Sequence, residues 1–163
     1  MLSREFPSTH PRHGEKTGFA TLLQNTLCFV SNDERRNCED CCSCPDWLKY
    51  HTIRANAALW KKRAVEINAG RAILSVRQWS GKPYEKGTFQ IEIARLPKLH
   101  VQDITLGIRD EKPFASVEGQ EVDVDTLAKH DGLSTADFVD WFKLDHRKDD
   151  YHGGVLHFTD LRY

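Results

Sequence analysis

Residues 49–54, Lys49-Tyr50-His51-Thr52-Ile53-Arg54, decide how this chain is read. They carry an amine, an imidazole, a hydroxyl and a guanidinium, centred on Tyr50, Thr52 and Ile53, which favour strands. In an extended segment side chains alternate, so Tyr50, Thr52 and Arg54 share one face and Lys49, His51 and Ile53 the other. A flat strand therefore keeps Lys49 away from Thr52. The two meet only if Lys49 lies in the loop entering the strand, or at a bulge, where its long stem folds over.

That grouping suits nucleophilic chemistry. A threonine hydroxyl is unreactive until a nearby base takes its proton, and a lysine desolvated to a lower pKa can be that base. Arg54 would then hold a phosphate or a developing oxyanion. The plainer alternative is a strand with three polar surface residues.

Upstream of this stretch, Phe6 to Thr17 holds two prolines, a glycine and no periodicity, so it reads as loop, with His10 as a candidate cleft residue. Phe19, Leu22, Leu23, Leu27 and Val30 then follow helical spacing behind a Thr17 cap. Residues 31–46 break the pattern and read as a Cys-rich insertion. Downstream, a helix starts near Asn56 and ends at Gly70, with Leu59, Trp60, Ala64 and Ile67 on one face and Lys61, Lys62 and Arg63 on the other. Strands are expected over 72–79, 88–96, about 100–108 and about 115–122, with the turn Ser80-Gly81-Lys82-Pro83 after the first. A short helix over 124–130, the turn Asp131-Gly132, and a capping box from Ser134 to Asp137 follow. A last strand runs through Val155 to Thr159 and closes the sheet. Short strands at regular spacing predict an α+β fold, a small mixed barrel or strongly bent sheet flanked by helices, in one domain spanning 1–163.

The net charge of −1 gives no global electrostatic case for nucleic acid, so any such binding must be local. No apolar run approaches the roughly 18 residues of a membrane span. The opening residues lack the apolar core of a signal peptide, so the expected compartment is the cytoplasm. In that compartment the cysteines read either as thiols on a loop or as a structural zinc knuckle, with disulfides less favoured. Cys38, Cys41 and Cys44 have the CxxC spacing, and Cys28, Cys42 or His51 would be the fourth ligand. Arg77 and Trp79 on one strand, with Tyr84 across the turn, offer a surface on which a nucleobase stacks and a phosphate is held; the alternative is a core tryptophan. Asp145, His146, Asp149 and Asp150 would serve a metal-dependent nuclease, or are simply a solvated acidic loop.

Lys49-x-x-Thr52-x-Arg54 after a helix, followed by strands, a helical segment and a final strand, resembles the ASCH domain, whose motif runs Gly-x-Lys-x-x-Thr-x-Arg. The likeness is strongest to phage and bacterial ASCH-type proteins, through Phe6 to Gly14, His51 to Asn56 and His157 to Tyr163. It covers most of the chain apart from the cysteine insertion. The resemblance implies a PUA-like barrel, a fold associated with RNA binding and, in one branch, with amidohydrolases that remove the acetyl group of N4-acetylcytidine. Carried over residue by residue, it implies Lys49 and Thr52 as catalytic groups and Asp131 as the acidic partner, where the family has glutamate. The motif glycine is absent, with Asp46-Trp47-Leu48 in its place. The function expected is recognition of RNA or a modified nucleotide, with amide hydrolysis as a further activity. That chemistry requires no cofactor, and Arg54, Arg77, Trp79, Tyr84 and His10 would contact the substrate. The alternative is a non-catalytic module that binds nucleic acid or protein.

Overall fold

The computed structural model describes residues 1–32 and 48–163. The polar stretch forms a strand, but a short one: β1 covers His51–Arg54, and Lys49 and Tyr50 lie in the segment entering it. Ahead of it, α1 (Phe19–Asn32) starts beside Thr17, whose hydroxyl lies 3.4 Å from the Phe19 amide. Behind it, α2 (Ala57–Asn68) is capped by Asn56, whose side chain accepts from the Leu59 amide, and the chain leaves at Gly70 with φ 73°.

Strands β2 (Leu74–Trp79), β3 (Gln90–Leu96) and β4 (His100–Arg109) come next, then β5 (Lys112–Val117) and β6 (Gln120–Val122) as a hairpin, then α3 (Val124–His130) and α4 (Thr135–Phe142). The single strand expected over 115–122 is therefore two. Glu118 and Gly119 both take positive φ, 50° and 84°, which makes the two-residue turn that folds β6 back on β5. Asp110 and Glu111 do the same between β4 and β5 without a glycine, which hides the turn from a reading of composition.

The last strand, β7 (Tyr151–His157), is not at an edge. It lies between β1 and β4, antiparallel to both, in a five-stranded sheet of order β1-β7-β4-β5-β6. From Gly153 to His157 every residue is buried, because this strand is covered on both faces. A Cβ on Gly153 would sit 2.6 Å from the Arg54 carbonyl, so bare backbone is what lets β1 lie this close. β2 and β3 form a separate two-stranded ribbon, touched by the chain start through the Leu2 amide, which donates to Arg77 O at 2.7 Å.

The fold is thus α+β. Among the described residues no ladder joins the ribbon to the five-stranded sheet. A main apolar core holds most of the parts together, with Ile53 and Val155 from the sheet, Leu23 of α1, Leu127 of α3 and Phe138 of α4 all essentially inaccessible to water, and a second, smaller cluster of Ala64, Ile67, Leu99 and Leu156 seats α2. Among the described residues no helix is long and apolar enough to cross a membrane.

Candidate functional site

Lys49 reaches its position because three backbone ties hold the segment before β1. The Lys49 amide donates to Thr26 Oγ1 on α1 at 2.8 Å, while that hydroxyl donates to Leu22 O. The Tyr50 amide donates to His130 O at the end of α3, and Tyr50 O accepts from the Phe158 amide just past β7. Off the ladder, the Lys49 side chain turns inward, and only 1% of the residue is exposed.

Its ammonium meets Asp131, the residue that ends α3. Nζ donates to Asp131 Oδ1 and to Asp131 O, each at 2.5 Å, and lies 4.0 Å from the centre of the Phe19 ring. All three faces of the ammonium are thereby occupied, two by oxygens and one by an aromatic face. Asp131 is itself 4% exposed. Loss of water acts on both groups: it pushes the Lys49 amine down and the Asp131 carboxyl up, and their mutual attraction opposes each shift. The turn is tight here, since Gly132 has φ 78° and a Cβ on it would lie 2.9 Å from Leu22.

Thr52 and Arg54 project to the other side of β1. They line a cavity of about 60 Å³ with Leu2, Trp60, Leu74 and Leu156, room for about two waters. Arg54 donates to Met1 O at 2.6 Å and to Ile53 O at 3.2 Å. The structure therefore brings Lys49 to Asp131, and Thr52 to Arg54. It does not bring Lys49 to Thr52: the lysine lies in the segment entering the strand, as required, but its side chain stays on the face of His51 that regular alternation gives it. No hydrogen bond reaches the Thr52 hydroxyl among the described residues.

The remaining residues singled out from the sequence are dispersed. His10 is buried inside its own loop: Nδ1 accepts from the Arg12 amide, Nε2 lies 3.1 Å from Asp137 O, and the ring stacks 4.4 Å from Phe6. Nε2 thus seats the loop on α4, while Nδ1 ties the loop to itself. Arg77, Trp79 and Tyr84 lie on the β2–β3 ribbon. Arg77 donates to Ser75 Oγ and Gln90 Oε1, and the Trp79 and Tyr84 rings are 5.1 Å apart. Tyr84 is 91% exposed and holds φ 64°, and Phe89 nearby is 63% exposed. Cys28 is exposed on α1, and Cys38, Cys41, Cys42 and Cys44 lie outside the described residues. No cluster of three or more His, Cys, Asp or Glu able to hold a metal exists among the described residues, and Asp145, His146, Asp149 and Asp150 form none.

No protein-family model matches the chain, and neither does a curated protein or a solved structure. Its chemistry must be read from its own geometry.

Sequence reasoning offers His51 as a metal ligand and His157 as a cleft residue, but does not assemble the group of buried and half-buried polar residues around the ion pair. His51 and His157 face each other in register across β1 and β7, with ring centres 6.0 Å apart. Tyr163 places its hydroxyl 2.8 Å from His51 Nε2 and 2.9 Å from His130 Nδ1. Gln102 fixes Tyr163 by exchanging two hydrogen bonds with its backbone. Burial holds His51, His130 and His157 below the ordinary histidine range, His157 down to about 3. The only signal in the sequence was the pair of histidines in two strand-like segments, and their pairing could not be read without the register.

Proposed function

We propose that this chain is an ASCH-type, PUA-like module that recognises RNA or a modified nucleotide, and that bases stack on the outer face of the β2–β3 ribbon. The observation carrying this reading is the Trp79–Tyr84 pair, two rings 5.1 Å apart, one of them almost wholly in water. An aromatic that gains nothing from burial in the fold is suited to gain it from a ligand, and every base has a π-face to offer. Lys82 and Lys86 flank Tyr84 in the chain, and along the whole ribbon Arg77, Lys82, Lys86 and Arg95 outnumber Glu85 and Glu92, of which Glu92 pairs with Arg95 and Arg77, in a chain whose net charge is −1. Local attraction to phosphate is therefore available where global attraction is not.

A second reading, hydrolysis of an amide on a nucleobase, is favoured by one observation: a fully buried lysine whose amine is pushed down by desolvation beside a carboxylate. In that reading Thr52 attacks the acyl carbon and Lys49 accepts its proton. The placement of Thr52 on the opposite side of β1, in a space of about 60 Å³, ranks this reading below recognition.

The test is a titration of short single-stranded RNAs and single nucleosides, followed by tryptophan fluorescence. Binding that quenches Trp79 and is lost in Tyr84→Ala supports the stacking face; unchanged affinity in that variant removes it. Incubation with N4-acetylcytidine, with Lys49→Ala as control, addresses the second reading, which ends if no cytidine forms.

A further inference from the structure

Around the ion pair lies a line of groups that neither reading uses. His51 Nδ1 faces Asp131 Oδ1 at 3.9 Å and has no hydrogen-bond partner among the described residues. Its other nitrogen, Nε2, meets the Tyr163 hydroxyl at 2.8 Å, and that hydroxyl meets His130 Nδ1 at 2.9 Å. His51 is fully buried, whereas His130 is half-buried and so reaches water.

A phenol between two imidazole nitrogens has one proton to give. If His51 donates from Nε2, Tyr163 must donate to His130 Nδ1, and His51 then turns a lone pair to Asp131. If His130 donates from Nδ1, Tyr163 donates to His51 Nε2, and His51 presents an N–H to Asp131. The two neutral rings therefore change tautomer together, both Nε2–H or both Nδ1–H. The first state becomes the second when a proton enters at Asp131 and another leaves at His130.

We propose that His51, Tyr163 and His130 form a proton relay connecting the buried Lys49–Asp131 pair to solvent. For one proton to leave, the Lys49 N–H breaks as an O–H forms on Asp131. That proton passes to His51 Nδ1 once the 3.9 Å gap closes to hydrogen-bond length. His51 gives its Nε2 proton to Tyr163 Oη while Tyr163 passes its own to His130 Nδ1. His130 releases its Nε2 proton to water. The products are a neutral Lys49 amine beside the restored Asp131 carboxylate, both rings in the Nδ1–H form, and a hydrated proton; no electrons are transferred. Burial keeps both rings in the neutral form that the relay needs. The relay depends on this geometry alone and holds whether or not the ribbon binds RNA. His51, Tyr163 and His130 act through Lys49 and are positioning residues.

Nitrogen NMR of the intact protein tests it, reading the ring tautomers of His51 and His130 and the exchange of Lys49 Nζ protons with water. The expected result is matching tautomers in the parent protein. Tyr163→Phe, which keeps the ring and removes only the hydroxyl, should slow Lys49 exchange by about tenfold or more, the rate equivalent of one lost hydrogen bond. The amide spectrum away from the site should stay unchanged. His130→Ala, at a half-buried position with Tyr163 left in place, should slow exchange similarly and serves if Tyr163→Phe fails to fold. Opposite tautomers in the parent protein, or unchanged Lys49 exchange in either folded variant, overturns the relay.

Discussion

Lys49 and Tyr84 are both large side chains with a polar end, one 1% exposed and the other 91%. The lysine has every ammonium hydrogen directed to an oxygen or a ring, while the tyrosine has a single aromatic neighbour and open water. A charge inside the protein persists only with its partners, so the buried region is held together by its own chemistry. Among the described residues nothing comparable constrains the ribbon tip, where Tyr84 stays in water beside Trp79. The two regions should therefore respond oppositely to mutation: the first through stability, the second through binding.

The sharpest way to break this contrast is Asp131→Ala. It leaves the Lys49 ammonium buried without a counter-charge, and unfolding in urea should show a loss of about 3–5 kcal/mol. Replacing both members, Lys49→Met with Asp131→Leu, should recover most of that loss, because no charge then remains to be desolvated. A double variant as unstable as the single one would mean that the pair does more for the fold than neutralise itself.

The next effect depends on pH. His157 is buried with neither ring nitrogen hydrogen-bonded among the described residues, and its pKa lies near 3 instead of about 6.5. Its folded pKa is depressed, so below pH 6.5 the unfolded chain binds a proton that the folded chain refuses. The contribution to stability is fully retained above pH 6.5 and lost progressively as pH falls toward 3, at up to about 1.4 kcal/mol per pH unit. His157→Leu removes this titration and abandons no hydrogen bond. It should match the parent within about 1 kcal/mol at neutral pH and exceed it by about 2 kcal/mol at pH 5. Parallel curves for the two proteins would show that His157 is not held neutral by the fold.

Thr26 distinguishes local from distant information in the chain. The Asn56 cap, the Ser134 capping box and the Gly70 stop are legible in the sequence because each is an interaction between residues three or four apart. The Thr26 hydroxyl holds the Lys49 amide across 23 residues, and nothing near Thr26 announces it. The same is true of His51 opposite His157, which needs the insertion of β7 between β1 and β4 to be known. Spacing alone gives no reason to join Asp131 to Lys49; that pairing is expected only from the resemblance to a family motif. The alternation rule places Thr52 with Arg54 and Lys49 with His51, as the structure has them; what fails is the expectation that Lys49 folds over to meet Thr52. Thr26→Val keeps the shape and strands a buried N–H, so it should cost about 1–2 kcal/mol and loosen the segment entering β1. Hydrogen exchange at the Lys49 amide, faster in the variant, would show that the tie is specific.

The smallest effect on stability belongs to the ribbon and carries the most information about function. Tyr84→Ala deletes a ring that the fold barely covers, and Tyr84 already holds a left-handed backbone that few non-glycine residues adopt. Its unfolding midpoint should move by no more than about 0.5 kcal/mol in equivalent stability. Removing one stacked base partner, by contrast, costs about 1–3 kcal/mol of binding, a 5- to 150-fold weaker affinity for single-stranded RNA. Arg77→Ala should weaken binding less and reduce its salt dependence, because the variant neutralises one phosphate fewer and so releases one counterion fewer on binding. Tyr84→Ala that unfolds readily would place this ring in the core's service, while a stable variant binding RNA as well as the parent would leave the ribbon without a role in recognition. Either result would erase the difference between the two regions; a stable variant that no longer binds would establish it.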